Sequence, residues 1–162
     1  SGGPYSTPEG KDWPDNAARF ALFAQAVCAL AMNQAGLDWK PDLVHCNDWQ
    51  TGLVPALLSL QVKRPATVFT IHNLAYQGNF NRKVRKSLGI DSLAFHMDGL
   101  EFYGHLSFMK AGIFYADAVT TVSPTYAKEI QNSDLGCGMD GVLRFRSDRL
   151  TGILNTYFFA ID

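Results

Sequence analysis

Two apolar runs in this sequence end in clusters of polar residues. "DLVHCND" carries His45 and Asp48 at its end, and "ATVFTIH" is followed by Asn73, Tyr76 and Gln77 after His72. An imidazole, a carboxylate, two amides and a phenol can bind hydroxyl groups or stabilise charge at a reacting centre. Two further runs, "AVTTVS" and "LTGILN", end at Ser123 and Asn155. His45, Asp48 and His72 are metal-ligating types, but their spacing fits no familiar ligand motif, and neighbouring strand residues point to opposite faces. A serine nucleophile lacks its G-x-S-x-G elbow, and Ser123 is followed by Pro124. A glycosidase pair would draw on Asp48 with Glu101 or Asp140, which nothing in the sequence sets opposite one another. Neither common phosphate-binding glycine motif is present. "GCGMDG", residues 136–141, reads either as N–H groups exposed at a helix start or as an ordinary loop.

The elements that must hold these groups alternate. Residues 1–15 are rich in Gly, Pro and Ser and read as loop. A helix follows through "AARFALFAQAVCALAMNQA", capped by Asp15 or Asn16 and ended by Gly36. Residues 42–47 read as a buried strand, and "LVPALLSLQV" as a helix with Pro55 in its first turn. Residues 66–72 form a second strand. Helices are expected around "HLSFMKAGIFYAD", from Ser123-Pro124 through "TYAKEIQ", and at "MDGVLRFR". Residues 118–123 and 150–155 complete four strands. Strands separated by helices imply an α/β fold, a parallel sheet with helices on both faces.

In such a sheet ligands bind at the carboxyl ends of the strands. All four expected strands deliver hydrogen-bonding side chains to that edge. Each also has a structural reading: Asp48 and Ser123 as helix caps, Trp49 as core, His72 as a core histidine bonded to a backbone carbonyl.

Composition narrows the partners. The 162 residues are 47% hydrophobic and 18% charged, with a formal net charge of -1. That balance offers no electrostatic basis for nucleic acid or anionic membrane as partner. No apolar run has the roughly 18 residues of a membrane span. The basic run "RKVRK" near residues 82–86 reads as a solvated face. Cys28, Cys46 and Cys137 have no C-x-x-C spacing and read as free thiols of a reducing compartment, with nothing nearby to activate them. The chain begins without Met and stops just after an apolar stretch, as part of a longer protein would.

At these residues the sequence resembles the bacterial glycogen synthases and plant starch synthases, a family of retaining glucosyltransferases. "KPDLVHCNDWQTGLVPALL", "TVFTIHNLAYQGNF" and "GLEFYGHLSFMKAGIFYADAVTTVSPTYAKEI" carry most of the likeness, with "GCGMDGVL", "LTGILN" and the opening "GGPYSTPEGKDWPDNAARFALFAQA" extending it. The resemblance implies a two-domain GT-B fold of facing Rossmann-like halves, with residues 1–162 part of the N-terminal, acceptor-side half. It implies glucose transfer from ADP-glucose to an α-1,4-glucan, with no metal and no cofactor beyond the donor substrate. The catalytic positions would be His72, touching the transferred glucose, and Asp48, beside sugar and acceptor. Asn73, Tyr76, Gln77 and Asn155 would bind substrate. The family's opening K-T-G-G-L strand and its C-terminal, nucleotide-binding domain have no counterpart here, so this chain alone is expected to be inactive. The implied compartment is the cytoplasm for bacterial glycogen, or the plastid for starch.

The chain departs from the family pattern in places. Asn47 and Gln50 stand where histidine is frequent, and Cys137 where tyrosine is common. After Leu154-Asn155, "TYFFAID" replaces the family's Gly-Val/Ile-Asp. Two other functions compete with glucosyl transfer. One is a non-catalytic glucan-binding module stacking sugars on Trp49, Tyr76 and Tyr103. The other is a metal-dependent hydrolase using His45, Asp48 and His72.

Overall fold

The computed structural model describes residues 3–90 and 99–155; the divergent ending "TYFFAID" lies outside them. Helix α1, Asn16–Ala31, buries alanines 17, 21, 24 and 31. Their small side chains allow close packing on α3, where the Cys28 thiol donates to the Val54 carbonyl at 3.7 Å. Strand β1, Leu43–Asn47, leads through the short helix α2, Asp48–Thr51, into α3, Leu53–Ser59. Strand β2 is Ala66–Ile71. Then come β3, Asn79–Asn81, a 3-10 turn at Arg82–Arg85, β4, Glu101–Phe102, and β5, His105–Ser107. Helix α4, Phe108–Tyr115, returns to β6, Ala118–Thr121. Helices α5, Pro124–Glu129, and α6, Asp140–Phe145, precede β7, Leu150–Gly152.

The main sheet is parallel, in the order β1-β2-β6-β7. The expected parallel α/β architecture is present, but its helices are distributed differently. Parallel crossovers are right-handed, and a strand order that never reverses puts them all on one face. Cys46, Phe69, Ile71, Val119 and Thr121 point to that face and are buried. On the other, His45 and His72 are exposed and Val68, Thr70, Ala118 and Thr120 are half-buried. There a polar ladder crosses the strands, His45 Nε2 to Thr70 Oγ1 at 2.7 Å and Thr70 Oγ1 to Thr120 Oγ1 at 2.6 Å. Helices on both faces are therefore not found among the described residues.

A second departure is a three-stranded antiparallel sheet in the order β3-β5-β4. Residues 105–107, expected to open a helix, are its central strand, and the helix starts at Phe108 with Ser107 Oγ accepting from Lys110 N–H. Ser123 does cap α5, accepting from Tyr126 N–H at 2.9 Å, with Pro124 in the first turn. Asp15 precedes α1 without a side-chain cap bond. The basic run has no buried residue.

Two contacts outside the polar edge hold the fold, one between layers and one within the sheet. Gly112 of α4 lies on the Phe69 ring, and a Cβ there would sit 2.4 Å from Phe69 Cε2. At the opposite end of the sheet, Arg64 grips Asp117 with Nη1–Oδ2 at 2.7 Å and Nη2–Oδ1 at 2.8 Å. Thr67 N–H and Oγ1–H also donate to Asp117 Oδ2, at 2.8 and 3.0 Å. The Arg64 bonds, opposed by partial burial and aided by Thr67, hold the Asp117 carboxyl well below the usual carboxylate range.

Each contact generates an expectation. Gly112→Ala forces a methyl into a fully buried ring and should cost about 2 kcal/mol, outweighing the roughly 1 kcal/mol gain in helix propensity. Combined with Phe69→Leu, it should cost clearly less than the sum of the two single changes in urea unfolding; strict additivity would contradict the contact. Because the folded-state pKa of Asp117 lies below its unfolded value, its contribution is full above about pH 4 and is lost as pH falls further. Its side chain is 41% exposed, so screening limits the effect to about 1 kcal/mol. The urea midpoint should drop more steeply below about pH 4 than that of Asp117→Asn, and parallel curves would contradict the assignment.

Candidate active site

The site begins where β1 ends. Asp48 has φ +55°, a left-handed conformation that Asp tolerates better than most residues because its short side chain can bond locally. The chain turns there from β1 into α2. Thr51 Oγ1–H secures the turn by donating to the carbonyls of Asn47 at 2.8 Å and Asp48 at 3.1 Å. Asp48 is not a helix cap. Its Oδ1 accepts from the His72 main-chain N–H at 2.8 Å, joining the ends of β1 and β2. His72 is exposed, and its ring meets Asn47, with Nε2 3.1 Å from Oδ1. The reading of His72 as a core histidine bonded to a carbonyl of the backbone is not what the structure contains.

Beyond His72 the loop is built by its own polar groups. Asn73 Oδ1 accepts from Ala75 N–H at 3.0 Å, and the Asn73 carbonyl from Tyr76 N–H at 3.3 Å. Leu74 N–H donates to the Tyr126 hydroxyl at 3.2 Å. Gln77 is tied on both sides: its carbonyl accepts from Met109 N–H at 3.1 Å, and its Nε2 donates to the Cys137 carbonyl at 2.9 Å. Gly78 has φ +57°, and a Cβ would sit 2.5 Å from Trp49 Cε3. Only glycine lets this loop lie flat on the indole.

Trp49 is thereby core rather than platform. It is 7% exposed, edge-on to Phe20 at 4.8 Å and to Phe80 at 5.8 Å between ring centroids. Tyr76 and Tyr103 are 67% and 78% exposed.

A cavity of about 690 Å³ opens beside this turn. Asp48, Gln50, Asn73, Tyr76 and Gln77 line it together with Tyr5, Ser6 and Asp12 of the N-terminal segment. Sequence reasoning left residues 1–15 without a role. What brings them here is long-range: Asn16 Nδ2 donates to the Tyr5 carbonyl at 2.8 Å, and the Tyr5 ring meets Trp49 edge-on at 6.3 Å. Four of the six candidate site residues therefore meet in one cavity. His72 does not line it, and is linked to it through Asp48. Asn155 does not line it either; it lies exposed past the end of β7, its N–H donating to the Val122 carbonyl at 2.9 Å.

The alternative chemistries find no support. Among the described residues no group of three or more His, Cys, Asp or Glu is arranged to hold a metal ion, and the His45 ring is engaged by Thr70. Burial pushes the Cys28 thiol up to about 11 and the Cys46 thiol up to about 12, so neither is a thiolate at neutral pH.

Comparison with known proteins shows the family. The family model for the starch synthase catalytic domain matches residues 1–145. Glycogen synthase of Cellvibrio japonicus (strain Ueda107) is 57% identical over 155 residues, covering 96% of this chain and 32% of that protein. Glycogen synthase 2 of Nitrosococcus oceani is 59% identical over 154 residues, covering 95% and 31%. The chain thus spans about a third of the length of these curated relatives. Among solved structures, the catalytic domain of starch synthase IV from Arabidopsis thaliana, bound to ADP and acarbose, matches with a TM-score of 0.77 and 31% identity. That match covers 93% of this chain and 33% of the plant chain. A parallel α/β fold shared with that enzyme, and a family model spanning nearly the whole sequence, make this chain a member of the starch synthase catalytic domain family.

Proposed function

We propose that this chain is part of the acceptor-side, Rossmann-like half of a GT-B glucosyltransferase that extends an α-1,4-glucan from ADP-glucose with retention of configuration. The observation that carries the reading is the junction of β1 and β2. There Asp48 bridges His72, on the open side of the sheet edge, to the cavity that Asn73, Tyr76 and Gln77 line. Membership of the starch synthase family supports it, as do relatives named glycogen synthase and a structural neighbour carrying ADP and acarbose.

The chemistry suits such a junction. Transfer from a nucleotide sugar passes through an oxocarbenium-like state as the diphosphate departs, so the protein contributes mainly orientation and preorganised polarity. In this reading the His72 imidazole hydrogen-bonds a hydroxyl of the transferred glucose. Asp48 fixes the His72 backbone and turns its carboxylate toward the acceptor. Tyr76 and Gln77 serve the acceptor glucan, Asn73 completes their substrate-binding loop, and Asn155 stands near the glucose from the far strand. The reading assigns no metal and no cofactor to these residues. Groups for the donor diphosphate would come from a second domain, and the half-exposed face bearing Val68 and Ala118 would be covered by further chain. Glycogen synthases among the relatives favour glycogen over starch as product, and with it a cytoplasmic rather than plastid enzyme.

The test is glucosyl transfer from ADP-glucose to a maltooligosaccharide, measured for the full reading frame containing this chain and for the chain alone. The full protein should turn over, with activity surviving chelation, and the isolated chain should not. His72→Ala in the full protein should lower kcat by about a hundredfold, in line with loss of a group at the reacting centre, while the urea midpoint stays close to wild type. Robust turnover by the isolated chain, or an unchanged kcat for His72→Ala, would overturn the assignment.

A further inference from the structure

We propose that Asn47 is a positioning residue, which holds the His72 imidazole in one orientation and one tautomer so that Nδ1 accepts a hydrogen bond from a substrate hydroxyl. The identity of that hydroxyl, on the transferred glucose, rests on the glucosyl-transfer reading.

The geometry comes from the parallel register. Asn47 pairs with Thr70 across β1 and β2, and strand alternation puts Asn47, Thr70 and His72 on the same face. The Asn47 amide thereby reaches the ring, its Oδ1 3.1 Å from His72 Nε2. With the amide oxygen turned toward the ring, Nε2 is the donor of this bond, because a carboxamide oxygen only accepts, and a neutral imidazole then has its lone pair on Nδ1.

Hydrogen bonds on either side support Asn47. Its carbonyl accepts from Thr51 Oγ1–H at 2.8 Å, and the next residue, Asp48, holds the His72 main chain at 2.8 Å. Two consecutive residues of one strand end therefore hold His72, one by its backbone and the other by its ring. Both Asn47 and His72 are exposed, and a hydrogen bond in water adds little to fold stability. Its effect falls on orientation, to which a group contacting the reacting sugar is sensitive. Orientation, more than folding, is thus the function of this bond.

The experiment uses the full reading frame labelled with 15N-histidine, the His72 signals being identified by their loss in His72→Gln. Wild type should give the Nε2–H tautomer. Asn47→Ala should lower kcat about tenfold with KM for ADP-glucose within about threefold, and its His72 signals should report a mixture of tautomers. Asn47→Gln, which keeps the amide, should recover part of the rate and of the Nε2–H signal. An Nδ1–H tautomer in wild type would overturn the proposal, as would an unchanged kcat in Asn47→Ala or a Gln variant no faster than Ala. If wild type transfers no glucose, the glucosyl-transfer reading fails, while the tautomer signals still decide whether Asn47 positions the ring.

Discussion

The His72 main-chain N–H donates to the Asp48 carboxylate at 2.8 Å, and most of the polar edge is arranged around that bond. Parallel strands hydrogen-bond through their backbones only as far as both remain extended. Here β1 ends at Asn47 and the chain turns at Asp48 with φ +55°. The carboxylate takes the place of a ladder partner for His72, the first residue past the end of β2. Without it the His72 N–H would have no partner on that side, and the left-handed Asp48 would be strain without compensation. The same turn directs Trp49 into the core, where its indole supports Gly78 and with it the loop carrying Asn73, Tyr76 and Gln77.

Winding decides which surfaces remain for function. With strand order β1-β2-β6-β7 the crossover helices share one face, and one core of α1, α3, α4, α5 and α6 residues packs beneath the sheet. The other face keeps His45, Thr70 and Thr120 of its polar ladder. His72 and Asn47 emerge at the rim of that open face, whereas the cavity lies on the side of the N-terminal segment. Asp48 is the residue that belongs to both sides. Arg64 and Asp117 fasten β2 to the start of β6 at the far end of the sheet from the candidate site.

Much of this was legible in the sequence because strong local signals coincide with tertiary roles. Four short apolar runs became four parallel strands, Ser123-Pro124 marked the start of α5, and polar residues stand at the run ends. What escaped was of two kinds. Strands of two or three residues, such as Glu101–Phe102 and His105–Ser107, are too short to show a period of two, and an apolar run such as "LSFMKAGIF" reads as helix throughout. Contacts set by register or distant packing leave no local trace either. Asn47 reaches His72 only because Asn47 pairs with Thr70, and Tyr5 reaches the cavity only because its ring meets Trp49. The one-sided helices follow from strand order, which alternation of strands and helices does not specify.

The central claim is that the ends of β1 and β2 form one wall of a glucosyl-transfer site. A structure of the full reading frame with ADP and a maltooligosaccharide tests it most directly. A glucose unit should lie with a hydroxyl at hydrogen-bonding distance, about 2.6–3.2 Å, from the His72 imidazole, and the glucan should extend into the cavity beside Asp48 and Gln77. Sugar bound elsewhere, with these residues facing only solvent, would contradict the account.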